Sequence, residues 1–230
     1  MLRLASGSPR RIALMRLLGV RLEIAPADVD EDRVASPAAA KADAISRRGE
    51  ALIAADTLLE VDGRRVGKPA DEGHAVTMLA DLAAQGDHIV RTEVVVEGAS
   101  GRRLTFAVRS RVNMAAASLR EIERYVASGE PLDKAGAYAI QGEGARLVAT
   151  FDGCLANITG LPLCHAYFAL RRAGVVPGAR PEGECQRHFD FICPVWRAAQ
   201  RQGRALYDGA EYESWREDVA GRRPQRPSIP

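Results

Sequence analysis

The sequence of 230 residues has no apolar run that approaches the roughly 20 residues needed to cross a bilayer. Its first seven residues turn polar too early for a secretory signal peptide. The formal net charge of +2 lacks the strong basic surplus that is typical of nucleic-acid binding. We therefore expect a cytoplasmic protein with no membrane and no nucleic-acid partner.

Cysteine is scarce, with four residues and no Cys-x-x-Cys pair. Because cytoplasmic thiols are kept reduced, the sequence favours free cysteines over disulfides. A zinc ion could be bound by Cys185, His188 and Cys193. Their spacing matches no standard set of zinc ligands, so this interpretation is the weaker one.

Lysine is scarcer still, with three residues against 29 arginines. Such a skew is usual in sequences with a biased base composition and by itself says nothing about chemistry. Where arginine is the habitual cation, however, a lysine can mark a position that needs a compact point charge. Lys41, Lys68 and Lys134 are therefore candidates for a site, the alternative being that they are incidental.

Hydrophobic patterning predicts strands over 2–5, 22–24, 51–55, 88–97, 103–114 and 146–151. The strand over 51–55 is expected to end at Asp56-Thr57, and Asp62-Gly63 to form a hairpin turn between strands over 58–61 and 65–66. Capping residues predict helices that begin after Ser8, Ser36, Asp71 and Ser118, and Gly174 closes the helix that is expected to be the last. This mixture indicates an α/β or α+β domain with a mixed sheet.

The composition changes after Pro177. Residues 178–230 hold nine arginines, eight acidic residues and both tryptophans. Aromatic residues at this density argue against a purely disordered tail, although the Arg/Pro-rich end from 221 to 230 is expected to fray. We divide the chain into a domain over 1–176 and an extension over 177–230 of unknown role, and expect the domain to function without the extension.

Residues 5–11, Ala-Ser-Gly-Ser-Pro-Arg-Arg, are typical of a strand end followed by a small-residue turn and a helix start. The unpaired N–H groups and positive dipole end of a helix N-terminus suit a phosphate. Arg10 and Arg11 add forked donors. The alternative is a capped surface helix with solvated arginines, and the segment is not a P-loop because it lacks the Gly-Lys-Ser/Thr ending.

Two acidic features are candidates for cation binding. Residues 28–32, Asp-Val-Asp-Glu-Asp, can supply oxygen ligands to a divalent ion, or can form an exposed acidic loop. Asp56 follows an apolar strand, where α/β sheets place ligands, so it can bind metal or accept a proton from water. The alternative for Asp56 is an aspartate that caps a turn.

Two glycine-rich loops contain the remaining lysines. Gly67-Lys68-Pro69 and residues 131–142 allow close approach of the backbone to a ligand, and the second loop adds Tyr138 and Gln141 for holding a base. The alternative is that both are ordinary turns and that Lys41 is a solvated helical lysine.

These motifs occur in one order, from 5–11 through Ala55-Asp56-Thr57, Gly67-Lys68-Pro69 and 129–142 to Gly160-Leu161-Pro162-Leu163. Together they closely resemble the Maf-like nucleoside triphosphate pyrophosphatases over roughly residues 2–175. The resemblance implies an α/β fold of the Maf/ITPase-like type, with an elongated mixed sheet flanked by helices and two lobes around a cleft. It also implies cleavage of a nucleoside triphosphate at the α-phosphate, a divalent Mg²⁺ or Mn²⁺ ion, and often a homodimer.

The resemblance also assigns site residues. Asp56 corresponds to the catalytic acid or base, and Glu31 and Asp56 to metal ligands. Arg10, Thr57 and Gln141 match positions tied to base selectivity. The full set of substrate-binding positions is Ser6, Arg10, Arg11, Lys41, Thr57, Lys68, Lys134 and Gln141.

The choice of base is left open by the sequence. Residues 133–138 with Gln141 resemble the dTTP/UTP branch of the family more than the 7-methyl-GTP branch, whereas residues 153–159 depart from the Gly-Ser-Tyr-type segment of that branch. The family name carries an association with septum formation and division arrest, so a regulator acting by binding, with or without catalysis, is the second hypothesis. A nucleic-acid binder, suggested by the arginines at 222, 223 and 226, is disfavoured because acidic residues balance them.

Overall fold

The computed structural model describes residues 1–214, without the side chain of Asp32. The strands are β1 (Leu2–Leu4), β2 (Leu22–Ile24), β3 (Ala51–Val61), β4 (Arg64–Val66), β5 (Asp87–Glu97), β6 (Arg103–Met114), β7 (Val148–Asp152) and β8 (Ala210–Glu213). The α-helices are α1 (Pro9–Arg16), α2 (Pro37–Ile45), α3 (Glu72–Gln85), α4 (Leu119–Val126), α5 (Leu155–Thr159), α6 (Leu163–Arg172), α7 (Pro181–Phe189) and α8 (Trp196–Arg204). Short 3₁₀ helices lie at Glu31–Arg33, Glu130–Asp133, Ala135–Ala137 and Glu143–Leu147.

The eight strands form one mixed sheet with the order β2-β1-β3-β5-β6-β7. β1 pairs in parallel with β2 and β3, whereas β3, β5, β6 and β7 are antiparallel neighbours. β4 pairs with β3, and β8 pairs with β6. The mixed sheet with flanking helices confirms the predicted α/β class.

A helix begins after each of the four predicted capping residues, and three of the four make a side-chain cap bond. The side chains of Ser36, Asp71 and Ser118 each accept a hydrogen bond from a backbone N–H in the first turn. Ser8 precedes α1 as expected, but its hydroxyl makes no cap bond. Instead, Ser6 Oγ accepts the N–H of Ser8 at 3.2 Å, so this turn is closed by the residue two positions earlier.

The prediction that the strand over 51–55 ends at Asp56-Thr57, separate from the strand over 58–61, is wrong. β3 continues to Val61 because Asp56 and Thr57 keep their pairing with β5, and turn residues come only at Asp62-Gly63. On the other edge of β3, β1 pairs only as far as Ile53 and β4 begins to pair at Leu59. The stretch 54–58 is therefore open along one edge, and this gap positions the site.

Buried residues form two main cores on the same sheet. The first surrounds α1 and α6 and the second surrounds α3 and α4, while a small third cluster joins α2 to β3. The helices thus form two lobes, and the long strands β3, β5 and β6 run from one to the other. Within residues 1–214, no helix is long and apolar enough to cross a membrane.

The prediction that the helix closed by Gly174 is the last is also wrong, since α7, α8 and β8 follow it. Val195, Leu206 and Ala210 are buried in the first core, which explains why this aromatic-rich segment folds. The predicted fraying of 221–230 lies outside the described residues. All four cysteines are free thiols, and no group of three or more potential ligands in the described part of the chain is arranged to hold a metal ion.

Candidate active site

A cleft with a volume of 680 Å³ opens at the unpaired edge of β3. Every residue that the family resemblance assigns to the site lines it, and so do all three lysines of the chain. The ten assigned residues are Ser6, Arg10, Arg11, Glu31, Lys41, Asp56, Thr57, Lys68, Lys134 and Gln141. The structure therefore brings together segments that are far apart in sequence, although their roles remain predictions.

Successive residues of β3 at the cleft face two different helices. Side chains on β3 point to opposite faces in turn. Asp56 shares a face with Ala54, which packs on α2, and Thr57 shares the other with Ala55, which packs beside α1. Asp56 therefore meets a side chain from α2, and Thr57 meets one from α1.

Lys41 is the partner of Asp56 on α2. It lies on the buried face of the helix, so the alternative of a solvated lysine is wrong. Its ammonium is 2.7 Å from Asp56 Oδ1 and 2.6 Å from Glu31 Oε1, and its side chain is 8% exposed. Lys68 Nζ lies 3.5 Å from Glu31 Oε2. Two carboxylates and two ammonium groups thus form a single cluster.

The charge of this cluster acts on Glu31. Partial burial raises the pKa of Glu31, but the hydrogen bond and charge of Lys41, with the charge of Lys68, outweigh it. The net pKa is below its ordinary value, and Glu31 is ionised at neutral pH. Within the acidic run 28–32, the cleft includes Glu31, whereas Asp30 pairs with the exposed Arg33.

Arg11 is the partner of Thr57 on α1. Its guanidinium donates to Thr57 Oγ1 at 3.0 Å, to the carbonyl of Gly160 at 3.0 Å and to Ser6 Oγ at 3.4 Å. Burial lowers the pKa of Arg11, and the charge of Asp56 opposes that shift. A guanidinium has five N–H donors, so these three bonds fix its plane and leave donors for an anion in the cleft.

Glu130 anchors the loop that closes the other side of the cleft. Its carboxylate accepts from the hydroxyl of Tyr125 at 2.9 Å and from the backbone N–H of Glu143 at 3.1 Å. Lys134 donates to the carbonyl of Glu130 at 2.6 Å and pairs with Asp133 at 2.5 Å. Glu130 was assigned no role of its own from the sequence, although it lies in the same motif as Lys134.

Gly136 packs the loop that contains Lys134 against β3. It has φ +71°, and a Cβ at this position would lie 2.1 Å from Leu59 Cδ2. Its N–H donates to the carbonyl of Gly67 at 2.9 Å, so the two glycine-rich loops are joined directly. A side chain at position 136 would collide with Leu59, so both the backbone conformation and the packing require glycine here.

We expect Gly136→Ala to lower the free energy of unfolding by about 2–5 kcal/mol. A positive φ costs a side chain about 1–2 kcal/mol, and overpacking against Leu59 adds about 1–3 kcal/mol. Gly49→Ala is the matched control, because Gly49 has φ +83° with nothing within 4 Å of a Cβ. Equal losses in urea denaturation of the two variants would contradict the packing role.

Two buried residues behind the cleft were missed by the sequence analysis. Thr92 lies opposite Thr57 on β5, with 3.0 Å between the two hydroxyl oxygens, and contacts the carbonyl of Asn157 at 3.0 Å. Both Thr92 and Asn157 are fully buried. Thr92 interrupts the apolar alternation of β5, and that interruption is the signal by which it could have been found.

The sequence of this chain is similar to one protein family and to several pyrophosphatases. The family model described as "Maf-like protein" matches residues 1–173. A dTTP/UTP pyrophosphatase from Geotalea uraniireducens is 40% identical over 184 residues, which cover 75% of this chain and 95% of that protein. Proteins of the same name from Dictyoglomus turgidum and Anaeromyxobacter dehalogenans are 41% and 42% identical, and the matches cover 74% and 77% of this chain and 95% and 97% of theirs.

Proposed function

Because the chain belongs to the Maf-like family, we propose that it hydrolyses a nucleoside triphosphate, of the dTTP or UTP type, to a nucleoside monophosphate and pyrophosphate. The observation that carries the proposal is the convergence of five cationic side chains on one cleft around the Glu31–Asp56 carboxylate pair. The cations are Arg10, Arg11, Lys41, Lys68 and Lys134.

The charges of the cleft suit this reaction. A triphosphate is strongly anionic, and its transfer needs positive groups fixed before the substrate arrives. Water attacks the α-phosphorus while the bond to the bridging oxygen breaks, and pyrophosphate leaves. Asp56 takes the proton from the attacking water. Arg11 and Lys68 face the charge that develops on the leaving group.

The carboxylates also fit a divalent cation. Glu31 and Asp56 already direct oxygens at one cation, the ammonium of Lys41. Carboxylate oxygen is the ligand type that Mg²⁺ and Mn²⁺ prefer. Glu31 and Asp56 would hold the ion, which supplies positive charge to the phosphate oxygens when it is bound. Neutralising these two carboxylates also keeps them from repelling the substrate.

We propose that Gln141, at the rim of the cleft, selects the base. Gln141 is exposed there, with an amide that can donate and accept hydrogen bonds. We expect Gln141→Ala to reduce the free-energy difference in kcat/KM between the preferred base and the others by about 1–3 kcal/mol. The loss of kcat/KM on the preferred nucleotide should be smaller than this change in preference. The measurement is kcat/KM for each nucleotide, with Gln85→Ala, outside the cleft, as the control. A loss of the same size on all nucleotides would show that Gln141 reads no base.

A panel of natural and modified triphosphates tests the proposal. We expect pyrophosphate and a monophosphate as the only products, a preference for dTTP or UTP, and no turnover in the presence of a chelator. Orthophosphate with a nucleoside diphosphate would contradict the reaction. An Asp56→Asn preparation made in parallel excludes a contaminating phosphatase.

A further inference from the structure

A buried chain of hydrogen bonds connects the cleft to the C-terminal segment, by which we mean the described part, 177–214, of the extension. From the cleft it runs from Arg11 to Thr57, from Thr57 to Thr92, and from Thr92 to the carbonyl of Asn157, with 3.0 Å at each step. The side chain of Asn157 then donates to Ser110 Oγ at 3.0 Å, and Ser110 Oγ lies 3.0 Å from Ser214 Oγ. Ser214, the last described residue, is 2% exposed.

The chemistry of the groups fixes the direction of the bonds near the cleft. A carbonyl only accepts, so the single hydroxyl proton of Thr92 is given to Asn157. Thr57 must then donate to Thr92, and its oxygen is left to accept from Arg11. This arrangement permits one orientation of the Thr57 hydroxyl, which presents its lone pairs to the guanidinium.

The far end of the chain is equally well defined. Ser214 Oγ donates to the carbonyl of Arg109 at 2.6 Å and accepts the N–H of Cys154 at 3.1 Å. A Cβ on Gly153, which has φ +120°, would lie 2.3 Å from Ser214 Oγ. Gly153 and Cys154 directly precede α5, the helix that carries Asn157. Ser214 therefore holds the start of this helix together with Ser110, whose Oγ also accepts the N–H of Cys154, at 3.2 Å.

Strand pairing explains how the segment reaches this place. β8 pairs in parallel with β6, and the register ends with Glu213 opposite Arg109. The next residue is therefore delivered to Ser110. The family model ends at residue 173, so this contact comes from a part of the chain beyond the matched domain.

We propose that Ser214 is a positioning residue for the cleft, acting through Ser110, α5 and the Thr92–Thr57 pair on the orientation of Arg11. Testing this proposal by measuring turnover rests on the proposed pyrophosphatase function. Loss of the Ser214 hydroxyl removes one acceptor from the N–H of Cys154 and one from the hydroxyl of Ser110. As donors within residues 1–214, the two groups keep only the bonds between Ser110 and Cys154, at 3.2 and 3.3 Å, so the start of α5 is held less firmly. Because small displacements of a phosphate-binding group are costly, we expect a measurable loss of function at a distance.

The test compares Ser214→Ala with Asp208→Ala. Asp208 also belongs to the segment and accepts the N–H of Thr105 at 2.7 Å, but lies outside the buried chain. We expect both variants to lower the melting temperature, and Ser214→Ala alone to lower kcat/KM by about 3- to 10-fold and to weaken binding of inorganic tripolyphosphate. Ser110→Ala, the central link, replaces Ser214→Ala if the latter does not fold.

A double-mutant cycle with Thr92→Val tests the route. If Ser214 acts through Thr92, adding Ser214→Ala to Thr92→Val should change kcat/KM by less than about 2-fold. Independent, multiplying effects overturn the proposal, and so does an equal loss in Ser214→Ala and Asp208→Ala. If the wild type hydrolyses no triphosphate, the proposed function fails, and calorimetric affinity for tripolyphosphate in the same variants decides the positioning claim alone.

Discussion

We expect Asp56→Asn to lower kcat by about 10²- to 10⁴-fold, the range that is typical for loss of a general base. The amide has nearly the same shape and keeps an oxygen for the ammonium of Lys41, but it cannot take a proton from water and is a poorer metal ligand. The melting temperature should change little, because the pairing of β3 with β5 is unaltered. The measurement is initial-rate kinetics of pyrophosphate release at saturating metal.

Asp62→Asn is the matched control for this variant. Asp62 lies at the β3–β4 turn, where it accepts a hydrogen bond from Gln85, and it has φ +48°, which asparagine tolerates. We expect unchanged kcat for Asp62→Asn. Near-normal kcat for a folded Asp56→Asn protein would remove Asp56 from the chemistry and leave it as the partner of Lys41.

The second large effect is expected for Lys41→Arg, with a loss of about 10²-fold in kcat/KM. The Lys41 ammonium fits between two carboxylate oxygens in a space closed by the buried face of α2. A guanidinium is wider and planar, so it must displace Glu31 or Asp56. A shift of about 1 Å in either carboxylate is sufficient for a loss of this size.

Lys68→Arg provides the comparison. The Lys68 side chain is 56% exposed, and within residues 1–214 its one ion pair is that with Glu31 at 3.5 Å, so the same exchange should cost less there. The two variants are compared by kcat/KM together with thermal melts. An equal loss in both, or none in Lys41→Arg, would show that the compact ammonium is not what the site requires at position 41.

The residues around the cleft could be predicted because short motifs carry their own local geometry. Residues 5–11 and the Asp62-Gly63 turn are encoded by neighbours in sequence, and the structure confirms both locally apart from the Ser8 cap. The scarcity of lysine marked three positions as candidates for a site but did not predict where they lie in space. In the structure all three lysines line the cleft.

The rest depends on pairing between distant segments. Whether a strand ends at Asp56 or continues past it is decided by β5, which lies about 40 residues later in the chain. Likewise, the link from Ser214 to Thr92 exists only because β8 and α5 meet at β6. Neither register is determined by local propensity, which explains why the continuity of β3 through Asp56-Thr57 and the helices and strand after Gly174 were not predicted.

Hydrolysis in water enriched in ¹⁸O tests the central claim most directly, because it reports which phosphorus is attacked. If the cleft directs water to the α-phosphorus, mass spectrometry of a single-turnover reaction will find the heavy oxygen in the nucleoside monophosphate and none in the pyrophosphate. Heavy oxygen in the pyrophosphate would place the attack at the β-phosphorus and would contradict this account of the site.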